Sequence, residues 1–378
     1  MTYQRAILHL DMDAFFASVE IKKNSALAGI PLLVGGSGGR GVVTSCSYEA
    51  RRFGIHAGMP MAIALRRCPD ARTIRGDYES YEQHSRIVTE IIGEEGPVFE
   101  KASIDEFYVD MTGMDRHVGC VKWSGELRQR IIRETGLPLS AGLSINKLVS
   151  KVRAGEAKPN GSGWVAQGAE RAFLSPLPVR KIPSIGSVTA RKLSLMGIRK
   201  AGTLSQVPIG LLEREFGSMG REFHRRANGI DHRPVVPYSE RKSFSSESTF
   251  QTDTIDVEFL LRKLRHLTAQ LAFDLRKAGR LTARVTVKIR YTDFNTYTRA
   301  RRIDYTAHDQ QLVPVAETLF RELFTRRQCI RLIGVRFDLL AGGHTQLDLF
   351  EDTQENSRLL LALDKVRNRF GKGAIAVG

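Results

Sequence analysis

No apolar run in this 378-residue sequence approaches the ~20 residues of a membrane-spanning helix, which argues against an α-helical membrane protein. The N-terminus, MTYQRAILHLDMD, places acids inside its apolar stretch and lacks a small-residue cleavage site, so it does not read as a signal peptide. Cysteine is scarce: Cys46, Cys68, Cys120 and Cys329 are scattered and form no CxxC pair. That spacing excludes the common zinc sites and points to reduced thiols in a cytoplasmic compartment. Only 13 prolines, no low-complexity tract and no internal repeat exclude disordered and solenoid classes. What remains is a folded, soluble chain, 42% hydrophobic, and long enough for two to four domains.

Positive charge is abundant and unevenly placed. Residues 1–165 carry 21 basic against 19 acidic side chains, residues 166–240 carry 12 against 6, and residues 241–340 carry 19 against 11. The last 38 residues balance at 5 and 5, so the net charge of +16 lies in the middle and later parts. A near-neutral first half followed by basic modules suits a polyanionic partner such as nucleic acid.

Within the near-neutral half, acids interrupt two apolar strand candidates. AILHLDMDAFF carries Asp11, and SIDEFYVDM carries Asp105 and Glu106. A carboxylate in a buried strand is costly unless a cation or hydrogen-bonded partner compensates it. Three brought together by strand pairing would form a hard oxygen cage of the kind Mg²⁺ prefers. Acids at strand ends can equally be solvated. Neighbouring strand residues also face opposite ways, so Asp105 and Glu106 can share a site only if a turn or bulge opens the strand.

Strands and helices alternate through residue 165, indicating an α/β or α+β sheet domain. FFASVEIKKN, YESYEQHSRIVTEIIGEE (ended by Gly96-Pro97), KWSGELRQRIIRETG and NKLVSKVRAGEA read as helices, and LPLSAGLSI as a strand. Residues 166–230 contain short helical pieces broken by Pro and Gly, and DHRPVVPYSERK (231–242) reads as a linker. From residue 243 the pattern is strand, helix, strand, strand, helix, strand, with SESTF, TARVTVKIRY, YTRARRIDY and IRLIGVRFDLL as strands.

LDMDAFFASVE, SYEARRFGI, SIDEFYVDMTG and AKPNG stand in the order and spacing of the Y-family DNA polymerases, and the chain resembles the bacterial DNA polymerase IV branch from residue 5 to about 350. The resemblance implies an α+β, right-hand-like architecture. It places the palm at about 1–12 and 77–165, small fingers at about 13–76, a helical thumb at 166–230, the linker, a little finger at 243–341, and a tail at 342–378. It implies template-directed addition of dNTPs to a primer 3′-hydroxyl by two-metal-ion phosphoryl transfer, in the manner of translesion enzymes and without proofreading. Primer-template DNA, dNTP and two Mg²⁺ ions are the implied partners, acting on a monomer in the cytoplasm.

The same resemblance assigns roles. Asp11, Asp105 and Glu106 would be catalytic metal ligands, with the Met12 carbonyl adding an oxygen. Phe15 would lie near the incoming sugar and base, and Phe16 would be the steric gate that excludes a ribose 2′-hydroxyl. Ser45, Tyr48, Arg51 and Lys158 offer hydroxyls and cations suited to the triphosphate, although Tyr48 also reads as a core aromatic and Arg51 as a solvated helix residue. Asp13 and Asp110 read as structural acids, and Lys147 and Lys151 as a cationic helix face. IPSIGSVTARKLSLMGI resembles a helix-hairpin-helix, with Gly186 and Lys192 facing DNA, but Ser184 stands where the first hairpin glycine is usual. A plain helical hairpin is the competing reading. Arg299 and Arg301 alternate on one strand and share a face that could track a phosphate backbone. QLDLF supplies Gln346, Leu347, Leu349 and Phe350, similar to strings that dock on a bacterial sliding clamp. Two rivals remain: a non-catalytic DNA- and clamp-binding adaptor of the same fold, and a nucleotide cyclase with a palm-like sheet.

Overall fold

Along ILHLDM, alternation sends Leu8, Leu10 and Met12 to one side of a strand and His9 and Asp11 to the other. The computed structural model describes residues 3–36, 38–116, 119–343, 362–366 and 369, and forms this segment as β1 (Ile7–Met12). The chain turns through Ala14, held at φ 45°, into α1 (Phe15–Lys23). Next come β2 (Leu32–Gly35), β3 (Val43–Cys46), α2 (Tyr48–Arg51), α3 (Met61–Arg67) and β4 (Arg72–Ile74). They make a three-stranded sheet, β3-β2-β4, around its own small core of Leu33, Cys46, Ile55 and Met61. Helix α1 packs elsewhere: Phe15, Ala17 and Val19 join the larger core of the next sheet.

That sheet is completed by α4 (Tyr78–Glu94), β5 (Val98–Lys101), β6 (Glu106–Asp110), α5 (Cys120–Thr135), β7 (Leu139–Ser144), α6 (Lys147–Ala157) and β8 (Ser162–Trp164). Its order is β5-β6-β1-β7-β8, antiparallel except for β7 and β8. One face is apolar: Leu8, Leu10, Phe107, Val109, Leu139 and Leu143 pack against Ile91 and Ile92 of α4 and Leu127 and Ile131 of α5. Each such fully buried side chain contributes roughly 1.5–3 kcal/mol, so this face fixes the register. The other face carries His9, Asp11 and Glu106 beneath α6. Helix α6 lies directly on β7 because Gly142 has no side chain; a Cβ there would sit 2.2 Å from the Ser150 carbonyl oxygen and 2.4 Å from the Ala154 nitrogen.

Beyond β8 come the short helices α7 (Glu170–Leu174), α8 (Ser187–Leu195), α9 (Ala201–Leu204), α10 (Ile209–Phe216) and α11 (Ser218–Ala227). Their core of Leu174, Ile182, Ile185, Leu193, Leu212 and Phe223 also contains Leu148, Val149 and Val152 of α6. One helix is therefore shared between the sheet and the helical module, which fixes their separation. The expected linker is docked at its start: Val235 packs with Ile7 and Tyr108, and the Val236 N–H donates to Glu100 at 2.8 Å.

Residues 240 onward form a second compact unit. It contains β9 (Ser243–Thr254), α12 (Val257–Lys277), β10 (Arg280–Tyr291), β11 (Thr296–Thr306), α13 (Asp309–Leu323) and β12 (Ile330–Gly342). The antiparallel sheet runs β11-β10-β12-β9, and α12 and α13 cover one face with Leu264, Leu271, Leu312 and Phe320. The element order matches the periodicity; β9 is longer than SESTF. No helix among the described residues is long and apolar enough to cross a membrane.

Candidate active site

Antiparallel pairing sets Asp11 directly opposite Glu106, so both carboxylates emerge on the face beneath α6. Asp105 precedes β6 in a bend, where its carboxylate accepts from the Ser103 hydroxyl at 2.5 Å and its carbonyl from the Met12 N–H at 3.0 Å. The turn required by strand geometry is therefore present. Met12 itself buries its side chain in the apolar core. Among the described residues, one group offers three metal-ligand atoms within 4.8 Å of one another: His9, Asp11 and Glu106. Asp105 stands outside that group. His9 lies two residues before Asp11 on the same face, and this i, i+2 relation was readable from the sequence without the imidazole having been singled out.

The electrostatics of these groups diverge. Burial pushes the Asp11 carboxyl above its ordinary value, against the pull of Lys158, whose Nζ is 2.5 Å from Oδ1. His9 and Lys151 together hold Glu106 down at about 2, with Lys151 Nζ at 2.5 and 2.6 Å from its two oxygens. His9 is fully buried, which lowers its pKa against the pull of Glu106; its Nε2 faces Glu106 at 3.9 Å, close enough to act on the carboxylate but beyond a hydrogen bond, and neither ring nitrogen has a hydrogen-bond partner. Two hard carboxylates, one of them penalised by burial, beside an unpartnered imidazole fit a divalent cation. The neighbouring Lys147 is turned away from these groups: it is buried, bonded to both Glu100 oxygens at 2.6 and 2.7 Å and stacked over Tyr108.

Asp13 ties Tyr48, Ser140 and the Asn160 turn together. Fully buried, it accepts from the Tyr48 hydroxyl at 3.1 Å, the Ser140 hydroxyl at 2.7 Å and the Asn160 N–H at 2.6 Å, with Lys158 at 3.5 Å. Arg128 clamps the other side of that turn through the Asn160 carbonyl and side-chain oxygens at 2.5 and 2.6 Å. Ser47 caps α2, accepting from the Ala50 N–H, and so presents Tyr48 beside Arg51, whose guanidinium lies 4.5 Å above the Tyr48 ring. Ser45 sits buried one turn earlier at the end of β3. Burial raises the Tyr48 hydroxyl well above its ordinary value, so it stays a neutral donor. Reading Asp13 as a support matches its position, but the number of its partners had no sequence signal.

Phe15 is buried in the core, whereas Phe16 is half-buried and stacks flat on Tyr81, with centroids 4.2 Å apart and planes 12° from parallel. Tyr81 is in turn fixed by its hydroxyl donating to Glu20 at 2.7 Å.

Comparison with known proteins gives this geometry its context. The impB/mucB/samB family model matches residues 10–155, its C-terminal domain model residues 241–349, and the helix-hairpin-helix model of the same family residues 168–198. DNA polymerase IV of Dehalococcoides mccartyi is 36% identical over 378 residues, covering 99% of this chain and 97% of its own. DNA polymerase IV of Alkalilimnicola ehrlichii is 40% identical over 334 residues, covering 88% of this chain and 94% of its own. The chain belongs to the Y family of DNA polymerases. A solved Y-family DNA polymerase chimera superposes with a TM-score of 0.82 at 29% identity, covering 89% of this chain and all of that one. DinB from Sulfolobus solfataricus gives 0.61 at 29% identity over 88% and 98%. The five-stranded sheet is thus the palm, the helical module the thumb and the second unit the little finger.

Between palm and thumb of this Y-family chain runs an open cleft of about 610 Å³, lined by Asp11, Lys151, Arg180, Lys181, Ser184 and Gly186 among others. Its far wall is the hairpin before α8. Ser184 adopts φ 72°, the left-handed conformation that glycine would take there, and Gly186 is the exposed N-cap residue of α8. The serine therefore takes the left-handed backbone for which the first hairpin glycine is usual. Lys192 points to the end of α10, donating to the Glu215 carbonyl at 2.6 Å and lying 4.7 Å over the Phe216 ring.

In the little finger, Arg299 and Arg301 do share a face, opposite Val287 and Val285 of β10. It is the face that α12 and α13 cover, and both arginines pair with Glu322 of α13, at 2.6 and 2.7 Å. The helix-free face instead carries Arg284, Lys288 and Arg290 of β10, Arg302 of β11 and Arg336 of β12. Among the described residues, Glu247 and Asp338 answer them there: Arg284 and Arg336 pair with Asp338, and Lys288 with Glu247. The register of β10 and β11 decides which arginines face outward, and one strand read alone cannot supply it. Gln346, Leu347, Leu349 and Phe350 lie outside the described residues.

Proposed function

We propose that the palm face built from Asp11, Asp105 and Glu106 extends a DNA primer by one dNTP at a time. The chain is a DNA-directed DNA polymerase of the translesion type, and family membership favours this over a non-catalytic adaptor; a cyclase would leave the thumb and little finger without a role. The observation that carries the site assignment is the Asp11–Glu106 pair, facing one another across β1 and β6 with Lys158 and Tyr48 alongside. Asp11 and Glu106, with Asp105 swung in from its Ser103 contact, would hold Mg²⁺. Bound there, two such ions supply charge neutralisation to the triphosphate and lower the pKa of the primer 3′-hydroxyl.

The chain's own residues do the rest. Lys158, Arg51 and the Tyr48 hydroxyl, with Ser45 behind them, receive the β- and γ-phosphates. Asp13 holds Tyr48 and the Asn160 turn in one frame, so the two phosphate-binding groups keep a fixed spacing. Phe16, backed by Tyr81, lies under the sugar and leaves no room for a 2′-hydroxyl. Along the cleft from Asp11 to Gly186, the primer strand meets Lys151, Arg180 and the α8 N-terminus. The helix-free basic face of the little finger grips the duplex through Arg284, Arg290, Arg302 and Arg336, in place of Arg299 and Arg301. QLDLF docks on a sliding clamp through Leu347, Leu349 and Phe350.

Primer extension by the purified protein, with D105A as control, tests this reading. Mg²⁺-dependent extension that D105A abolishes supports it. Extension that persists in D105A, or none from the parent, overturns the site.

A further inference from the structure

We infer that Arg226 is a positioning residue that locks the thumb hairpin into its DNA-binding shape, compensating for the serine at position 184. The inference rests on the proposed contact between the hairpin and the primer strand. A serine at φ 72° is in a region that its Cβ disfavours and that glycine enters freely. Left to itself, an exposed Ser184 turn would relax toward a right-handed or extended backbone and rotate the first N–H groups of α8 away from the cleft. Arg226 of α11 opposes that. Its side chain is only 11% exposed, and Nη1 donates to the Pro183 carbonyl at 2.8 Å and to the Ser184 hydroxyl at 2.6 Å, while Nε is held by Glu222 at 2.7 Å.

The arrangement is specific in two ways. Nη1 alone reaches one backbone and one side-chain oxygen on consecutive residues while Nε stays on Glu222, so the contacts are spread over two nitrogens of one rigid plane, which the single nitrogen of an ammonium cannot reproduce. The handle it grips is the serine hydroxyl itself, which a glycine would lack. Serine at 184 and arginine at 226 are therefore two halves of one device. Immediately after the serine, Ile185 is buried in the thumb core and Gly186 caps α8, so a fixed Ser184 sets the direction of that helix N-terminus.

The test is a double-mutant cycle between R226A and S184G, read as Kd for a primer-template duplex by fluorescence anisotropy, with kcat and KM for DNA measured alongside. Against the parent, R226A raises Kd and KM for DNA about tenfold, the size expected when a left-handed residue loses its support, while kcat at saturating DNA holds. In the S184G background, where the turn needs no lock, adding R226A changes Kd by less than about twofold. R226K, which keeps the charge without the fork, weakens binding as R226A does. An equal loss from R226A in both backgrounds would overturn the lock, since it would make Arg226 a DNA contact or a general thumb stabiliser. Parent-like binding by R226K would overturn it too. If the parent protein fails to bind primer-template at all, the polymerase reading falls with it; normal parental binding with an insensitive R226A removes the lock alone.

Discussion

The palm face beneath α6 and the helix-free face of the little finger are charged in opposite styles. On the palm, a few ionisable groups are buried and each has several partners: Asp13 is fully buried with three donors, and Asp11 is 13% exposed against Lys158. On the little finger, arginines stand out from the sheet: Arg284 is 42% exposed and Arg336 54%, and the two share the single acid Asp338. The first style fixes atoms to fractions of an ångström, which phosphoryl transfer requires. The second yields a surplus of mobile positive charge, which suits a duplex gripped without regard to sequence. One face should therefore fail abruptly when a single group is changed, and the other by small, countable steps.

The sharpest break is expected at Asp11. D11N should lower kcat for primer extension by more than about a thousandfold, beyond the 10²–10³ that one electrostatic donor supplies, with primer-template Kd unchanged by anisotropy. A loss below tenfold would remove Asp11 from the reacting centre. D13N should come next. An amide offers one acceptor oxygen and two donors, so it cannot receive Tyr48, Ser140 and the Asn160 N–H together. We expect kcat/KM for dNTP to fall about 10- to 100-fold, as when a group that orients ligand-binding residues is lost. Steady-state kinetics with unchanged dNTP parameters would show that the shared frame is not needed. F16A should cost discrimination rather than rate: the preference for dNTP over rNTP in single-nucleotide incorporation should drop at least about tenfold. An undiminished preference would mean that Phe16, stacked on Tyr81, does not meet the sugar.

How far each face could be read beforehand follows from the physics that builds it. Period-2 alternation in β1 gave the palm strand and the side on which Asp11 emerges, and helical periodicity gave the element order of both units, because burial enforces both. The bend at Asp105 was a geometric requirement, and Ser103 provides it. The Asp13 frame was out of reach, since it joins residues 35 to 147 positions apart. So was the lock on Ser184, whose partner lies 42 residues on. On the little finger, alternation correctly grouped Arg299 with Arg301 but could not say which way they point. That depends on strand register against β10, where Val285 and Val287 claim the helix-covered side.

The smallest predicted effect is therefore the one that tests register most directly. Each arginine that neutralises a phosphate adds about 0.9 to the slope of log Kd against log salt. R290A/R302A, which clears two cations from the helix-free face, should reduce that slope by nearly two and weaken binding only a few fold at physiological salt, with a defect about tenfold larger at low salt. R299A/R301A should change it by less than one, because both guanidiniums are engaged by Glu322 on the face beneath α13. Salt titrations from low to physiological ionic strength measure both slopes on the same duplex. If R299A/R301A gave the larger drop, the helix-covered side would be the one that meets DNA, and the contrast between a precise palm and a diffuse little-finger face would have to be redrawn around Glu322.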